Sequence, residues 1–199
     1  TLIVVALMWA VSAKALALTP AVSLDLRNAF LSVIGADLEA RERAMKKIAR
    51  SKDGGLIPAL EAYSSGLLEQ REGGEFVIYQ SRVERRGKAL YPIVDAFTLE
   101  PVQDQSGGLV YEERLSRDML RADPSTRRLL APLISRLSIY HFDLDRRIAA
   151  IVAVANRSDL ELLDDLKTLR PSSSDRRFQR VLTESISLIQ LTHGNVSEP

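Results

Sequence analysis

The chain contains one helical phrase twice, and this repetition is the feature that most restricts its fold. The first copy runs from Asp37 to Asp53 and the second from Asp143 to Asp159. Aligned without gaps, the copies share six of seventeen residues, where chance at ordinary composition gives about one or two. A repeated unit of helix followed by helix is typical of a solenoid, which presents surfaces rather than a catalytic cleft. The repeat predicts the architecture and leaves the function open.

Composition and charge narrow the function classes. The 199 residues are 46% hydrophobic and 27% charged, which is ordinary globular usage. A formal net charge of +1 argues against nucleic-acid binding, because such proteins carry a clustered basic excess. The arginine pairs are scattered and matched by acidic residues, so solvated helix faces are the favoured interpretation. The chain has no cysteine, which excludes disulfides, thiolate metal sites and cysteine nucleophiles.

The first residues have the pattern of an export signal. Leu2 to Val11 is an unbroken apolar run, whereas a membrane-spanning helix needs about 20 such residues. Ala15-Leu16-Ala17 then supplies a small-x-small cleavage pattern. The sequence therefore predicts a signal peptide at residues 1–17 and a mature chain that starts at Leu18 in the periplasm. Cleavage after Ala13 or Ala15 is a further possibility, and the alternative to a signal is a buried amino-terminal helix.

The mature chain divides into three predicted parts. Residues 18–66 are predicted to form the first HEAT-like helices, residues 67–110 a small antiparallel β insert, and residues 111–199 a second set of HEAT-like helices. The fold class is mainly α with HEAT-like helical repeats and a small β insert, or α+β overall. In the first part, we expect a helix over Ala21–Ile34 closed by Gly35, a second helix capped by Asp37, and a partner helix from about Leu56 with Pro58 in its first turn.

In the insert, Glu75–Tyr79 and Ala89–Ala96 read as strands, and Pro92 predicts that the second lies at a sheet edge. The last part is predicted to begin with a helix over Glu112–Arg121. Further helical signals follow in order: Asp123-Pro124 as cap and first residue, Pro132 as a kink or new start, Asp143 as a cap, Ser158-Asp159 as the cap of its partner, Asp175 as the start of a last helix, and Gly194-Asn195 as its end.

Few residues suggest chemistry. His141 and Asp143 are close enough in sequence for a metal or acid–base pair, but Asp143 is better interpreted as a helix cap and His141 as a loop residue. His193 precedes Gly194 at a helix end, where an imidazolium complements the helix dipole. Arg41 and Arg147 recur four residues into the two copies, and we expect them to support the turn between repeats rather than bind a ligand.

The remaining candidates also favour structural roles. No serine lies in a Gly-x-Ser-x-Gly elbow, and no glycine pair begins a phosphate-binding pattern. The adjacent pairs Glu112-Glu113 and Asp164-Asp165 point about 100° apart on a helix and do not converge on one substrate. Four tyrosines are predicted to be core rather than pocket residues: Tyr63, Tyr79, Tyr91 and Tyr111. The sequence predicts no catalytic, cofactor-binding or metal-ligating residue, no cofactor and no enzyme activity.

With these features in order, the chain resembles the amino-terminal exported extension of the urea ABC transporter permease subunit, of the branched-chain amino-acid permease type. Besides the signal, the resemblance rests on Asp37–Arg41, Leu56–Ala62, Phe76–Ile78, Val94–Pro101, Arg127-Arg128 and Asp143–Arg147. In this family the phrase at Val94–Pro101 often contains an Asp-Ala-x-Thr-Gly-Glu-Pro turn, and Leu99 stands where the family usually has glycine.

The resemblance implies a non-catalytic accessory domain at the periplasmic face of the inner membrane. Its parent would transport urea, and its partners would be the substrate-binding protein and the membrane part of the permease. Family members continue into a polytopic permease, and this sequence has no such span beyond its leader. Residues of the urea path are therefore not assigned. The rival hypothesis is a stand-alone periplasmic HEAT-like scaffold protein, and a third is an enzyme that uses His141.

Overall fold

The structure, a computed structural model, describes residues 22–35, 37–85, 87–113, 115–116, 118–169 and 174–194. The predicted signal at residues 1–17 lies outside them. The helices are α1 (Leu24–Gly35), α2 (Leu38–Ser51), α3 (Ile57–Ser65), α4 (Pro124–Ser138), α5 (Leu144–Asn156), α6 (Leu163–Leu169) and α7 (Arg176–Gly194). The strands are β1 (Leu68–Gln70), β2 (Phe76–Tyr79), β3 (Val83–Arg85), β4 (Lys88–Asp95), β5 (Tyr111–Glu112) and β6 (Met119–Leu120). The predicted α+β class is confirmed.

Aspartate caps start four of the helices as predicted. The Asp37 carboxylate accepts from the Ala40 amide at 2.8 Å, and the Asp143 carboxylate accepts from the Arg146 amide at 2.9 Å. Asp123 and Asp175 cap α4 and α7 in the same way. Such a cap satisfies one of the free amides in the first turn. Local sequence is therefore enough to place these helix starts.

One helix prediction was wrong in detail, and one of the two alternatives given for Pro132 is excluded. Asp159 occupies a cap position, but its side chain accepts no cap hydrogen bond, and a short 3₁₀ turn at Leu160–Leu162 precedes α6. The bond that starts this turn runs instead from the Leu162 amide to the Asp159 carbonyl, at 3.3 Å. In α4, the helix continues through Pro132 to Ser138, so Pro132 does not mark a new start.

The internal repeat extends beyond the matched sequence. After α2, Lys52 has a left-handed backbone with φ 56, and a 3₁₀ turn at Gly54–Leu56 leads into α3. After α5, Ser158 has φ 51, and the turn at Leu160–Leu162 leads into α6. Lys52 follows the cap Asp37 by the same number of residues as Ser158 follows the cap Asp143. The chain therefore contains two units with the order helix, left-handed residue, 3₁₀ turn, helix.

The two helices of each unit pack against different neighbours. Helix α2 packs mainly against α1 and α4, whereas α3 packs against α4, β1 and β2. In the second unit, α5 packs against α4 and α7, and α6 packs against α7. One apolar core is shared by α1, α2, α3, α4 and the sheet. A second core is shared by α5, α6 and α7. Helix α4 thus contacts both units.

The sheet is antiparallel and extends beyond the predicted insert. Strand β4 pairs with β2, β3 and β5, β2 also pairs with β1, and β1 pairs with β6. The helix predicted over Glu112–Arg121 was wrong, because Tyr111–Glu112 pairs with β4 and Met119–Leu120 pairs with β1. The fourfold spacing of Tyr111, Leu115 and Met119 resembles a helical stripe. Pairing with strands distant in sequence overrides that local signal.

The prediction that Pro92 marks a sheet edge was also wrong, because β4 is paired along both of its sides. Strands β2 and β3 follow one another along β4: Tyr79 pairs with Ile93 and Val83 pairs with Leu90. Pro92 lies opposite the interruption between these two strands, while it also pairs with Tyr111 of β5. A ladder amide is not needed at such an interruption, so proline is tolerated there.

Three phenylalanines fasten the sheet to the helices. Phe30 of α1, Phe76 of β2 and Phe97 in the turn after β4 meet edge to face, with ring centroids 5.7–6.0 Å apart. Each aromatic pair of this kind contributes about 0.5–1.5 kcal/mol beyond the burial of its area. The turn itself is held by the Asp95 carboxylate, which accepts from the Phe97 and Thr98 amides at 2.9 and 2.7 Å.

The β segment, residues 67–121, connects α3 to α4, and its two ends lie close together. Gly66 ends α3 with φ 73, a conformation that glycine adopts without strain. The Ala122 amide donates to the Tyr63 carbonyl at 3.1 Å, next to the start of α4. Leu68 and Leu120 form a pair between β1 and β6. The two ends of the β segment are therefore bonded to one another.

Candidate functional site

Helix α4 is flanked by two surface grooves. The first, called here the α2–α4 groove, has a volume of about 320 Å³ and is lined by Glu42, Met45, Lys46, Ala49, Leu129, Pro132, Leu133, Arg136, Asp159, Glu161 and Leu162. The second, the α3–α5 groove, has a volume of about 430 Å³ and is lined by Ile57, Glu61, Ser135, Ser138, His141, Arg146, Ala149, Ala150 and Ala153. Both are open to solvent along one side.

The α2–α4 groove has an apolar floor and a charged rim. Met45, Leu133 and Leu162 form the floor and are themselves 4–8% exposed. The rim carries the carboxylates of Glu42, Asp159 and Glu161, the ammonium of Lys46 and the guanidinium of Arg136. No ion pair involves these carboxylates or Lys46 in the part of the chain that the structure describes. The rim therefore keeps an acidic excess for a partner.

Arg136 is already engaged below this rim by a buried carboxylate. Asp165 lies 2.6 Å from Arg136 and 3.0 Å from the Lys52 Nζ, and its side chain is 9% exposed. Burial acts to raise the pKa of Asp165, but the hydrogen bond from Lys52 and the charge of Arg136 outweigh it and hold that pKa below its usual range. Asp165, on α6, thus connects Arg136 of α4 with Lys52, the left-handed residue after α2. Its neighbour Asp164 is exposed and lies 3.1 Å from the Lys167 ammonium.

His141 in the α3–α5 groove is 3% exposed. Its Nδ1 accepts from the Asp143 amide at 2.9 Å, so the ring proton lies on Nε2, which has no partner among the described residues. Burial, together with the positive charge of Arg146, lowers the pKa of His141 and favours the neutral ring. The Asp143 carboxylate caps α5 instead of orienting the imidazole. The arrangement therefore lacks the carboxylate–imidazole contact of an acid–base pair.

His193 contacts the second left-handed turn. Its Nε2 lies 2.7 Å from the Ser158 carbonyl oxygen, so the ring donates to that carbonyl and joins α7 to the turn after α5. The dipole interpretation of His193 overlooked this contact. Lys52, at the corresponding position of the first unit, is joined to Asp165. Each left-handed turn is therefore held by a side-chain contact with a later helix.

The two repeated arginines occupy structural positions. Arg41 donates from Nε to the Val33 carbonyl at 3.1 Å and from Nη1 to the Thr126 hydroxyl at 2.8 Å, so it joins α1, α2 and α4. The Arg147 guanidinium lies over the Phe178 ring, 5.0 Å from its centroid, and joins α5 to α7. Both arginines thus join neighbouring helices, and their support of the turn between repeats stays a prediction.

The four tyrosines do not line one pocket. Tyr63 is a core residue, whereas Tyr79 and Tyr91 meet edge to face at 6.5 Å. The Arg85 guanidinium lies 4.7 Å from the Tyr111 ring centroid. Burial, reinforced by the hydrogen bond to Glu69, raises the pKa of Tyr79 to about 12. At neutral pH this phenol keeps its proton.

The described residues contain neither a metal-binding cluster nor a membrane-spanning helix. In that part of the chain, no three His, Asp or Glu side chains are grouped so that they would hold a metal ion. No helix there combines the length and the apolar character needed to cross a membrane. No protein-family model, curated protein or solved structure matches the chain. The candidate site therefore rests on the α2–α4 groove, the more apolar of the two grooves beside α4.

Proposed function

We propose that this chain is a non-catalytic protein-contact domain, carried as the exported extension of a urea-type ABC transporter permease. The observation that carries the contact role is the α2–α4 groove, whose apolar floor and unpaired acidic rim suit a protein partner. The transporter context rests on the resemblance of the sequence alone. In this proposal the two helix–turn–helix units are HEAT-like repeats, and α4 is the helix along which partners approach.

The partner in this proposal is the substrate-binding protein or the membrane part of the same permease, at the periplasmic face of the inner membrane. A photo-crosslinking amino acid placed at Lys46, on the groove rim, tests it in cells that produce the whole transporter. We expect a crosslink to a transporter subunit, identified by mass spectrometry. A crosslinker at Glu75, an exposed residue between β1 and β2, is the control.

The second candidate is a stand-alone periplasmic scaffold with HEAT-like repeats. The reading frame beyond Pro199 distinguishes the two, since membrane spans of about 20 apolar residues would favour the permease. A stop codon there, with crosslinks only to proteins outside the transporter, would favour the scaffold. Crosslinks at Glu75 but none at Lys46 would remove the α2–α4 groove from either version.

A further inference from the structure

The α2–α4 groove is formed by two matching helical stripes. On α2, the lining residues Glu42, Met45, Lys46 and Ala49 follow the spacing i, i+3, i+4 and i+7. On α4, the lining residues Leu129, Pro132, Leu133 and Arg136 follow the same spacing. Each stripe covers two turns, or about 10 Å of helix axis at 1.5 Å per residue. A groove bordered by two such stripes has the length and period that two turns of a third helix present.

The floor is suited to apolar side chains. Leu129 is half-buried, and Met45 beneath the groove has an unbranched side chain that adapts to the shape of a partner. Pro132 is exposed, and its ring adds apolar surface to the α4 side without an amide that needs a partner. A helix that inserts apolar residues at i, i+3, i+4 and i+7 would remove this surface from water.

The rim selects the charge of the partner. Glu42 lies on the α2 side, and Asp159 and Glu161 lie on the second 3₁₀ turn. Lys46 and Arg136 oppose them, and Arg136 shares the Asp165 carboxylate with Lys52, so the rim keeps an excess of one carboxylate. Arginine or lysine residues beside an apolar stripe would pair with these carboxylates, whereas acidic residues there would be repelled.

We infer that the α2–α4 groove binds an amphipathic helix of a partner protein, with an apolar stripe of at least two turns bordered by basic residues. The inference rests on the proposed contact function and specifies the kind of segment that this function recognises. Binding buries the exposed part of the groove lining, and the acidic rim sets the orientation and the specificity of the helix.

Two synthetic peptides test the inference. Both are about 16 residues long, so that helix can form, and both carry leucines at i, i+3, i+4 and i+7. One has arginines beside the stripe and the other has glutamates. Fluorescence anisotropy gives the dissociation constants with the purified chain, and amide chemical shifts locate the bound peptide. We expect the arginine peptide to bind with shifts centred on Met45, Leu133 and Leu162, and the glutamate peptide to bind at least tenfold more weakly.

Charge reversal supplies the matched variants. Glu161→Lys should weaken the arginine peptide about fivefold, the size expected for one exposed ion pair. Glu42→Lys should act similarly from the other side of the groove. Glu61→Lys makes the same change at the α3–α5 groove and should leave binding unchanged. Circular dichroism establishes that all three variants remain folded, since each site is exposed.

Several outcomes would overturn the inference. They are equal binding of both peptides, shifts centred on the α3–α5 groove, an equal effect of Glu61→Lys, or no binding at millimolar peptide. Binding of the chain to anionic vesicles through the same residues would assign the groove to a lipid surface instead. The crosslinking experiment separates the two proposals, because a crosslink from Lys46 without peptide binding would keep the contact role of the groove and reject only the basic amphipathic helix as its occupant.

Discussion

At the scale of single residues, some roles follow from the local sequence, whereas others appear only in the folded backbone. Asp37 and Asp143 cap helices through local hydrogen bonds, and the spacing of sequence alone predicts them. Leu99 has φ 59, in the left-handed region that favours glycine. The hydrogen bonds of the Asp95 carboxylate hold this turn, so the backbone of Leu99 keeps a positive φ that is unfavourable for a leucine.

The caps give the first prediction. Asp37→Ala and Asp143→Ala should each lower the free energy of unfolding by about 1 kcal/mol, because an amide in the first turn loses its acceptor. Asp159→Ala is the matched control, since this aspartate occupies a cap position but accepts no cap hydrogen bond. Urea denaturation of the three variants measures the effect. A loss at Asp159 equal to the others would contradict the assignment.

His141 gives a prediction for pH. The folded chain lowers the pKa of His141, so it binds this proton more weakly than the unfolded chain does. The stabilisation from the neutral ring is therefore complete above the ordinary pKa of 6.5 and declines as the pH falls below it. Denaturation midpoints at pH 7.5 and pH 5.5 should show this decline.

The matched variant for the pH series is His141→Asn. An asparagine oxygen can accept the amide two residues further on, as Nδ1 of His141 does, without titrating. This variant should lose part of the pH dependence, although it also loses ring packing at all pH values. His193→Gln, with His141 intact, should keep the dependence. An unchanged pH profile in His141→Asn would show that other groups cause it.

At the scale of elements, contacts between residues far apart in sequence determine the packing that local periodicity cannot predict. The apolar stripes of α2 and α5 were predictable because they repeat locally every three or four residues. The pairing of β1 with β6 and the packing of α2 on α4 were not, because each depends on residues far apart in sequence. The same applies to Asp165, whose burial results from the approach of Lys52 and Arg136.

The approach of the first 3₁₀ turn to the loop before α5 gives the next prediction. A Cβ on Gly54 would lie 2.7 Å from the Tyr140 carbonyl oxygen and 2.9 Å from the His141 Cα. Gly54→Ala should therefore cost about 1–3 kcal/mol through displaced backbone. Gly35→Ala is the control, because no atom lies within 4 Å of its Cβ position. Thermal melts should separate the two variants, and equal melting points would refute the contact.

Asp165 and Asp164 are adjacent residues for which we expect opposite results. Asp165→Ala leaves two cations facing each other, so the free energy of unfolding should fall by about 1–2 kcal/mol. Loss of a fully buried pair costs about 3–5 kcal/mol, but Lys52 and Arg136 are partly exposed to solvent. Asp164→Ala removes a single exposed contact to Lys167 and should change stability by less than about 0.5 kcal/mol. Denaturant titration of both variants measures the difference.

At the scale of the whole molecule, the described grooves favour contact with a large partner over capture of a small polar solute. A urea site needs several hydrogen-bonding groups that converge in a largely enclosed pocket. The α2–α4 groove is mainly apolar and open. The α3–α5 groove contains the Nε2–H of His141, but that atom is buried beneath the surface. Neither groove provides such an enclosure.

The purified chain is therefore expected not to bind urea at micromolar concentrations, even if it belongs to a urea transporter as proposed. Its melting temperature should stay unchanged at such concentrations, and titration calorimetry should give no saturable heat. Saturable heat would place urea recognition in this chain. Glu61→Lys and Glu161→Lys, one in each groove, would then show which groove is responsible.

The hydrogen bond between Ala122 and Tyr63 has a consequence for how this molecule tolerates change. Because the β segment starts and finishes at one place, its length is decoupled from the geometry of the helices on either side. Residues added near Gly73, in the turn before β2, would lengthen a loop whose ends stay together. Each doubling of a flexible loop raises the free energy of loop closure by only about 0.6 kcal/mol. The sheet is thus the part of this architecture where sequence can be gained or lost while α3 and α4 stay in contact.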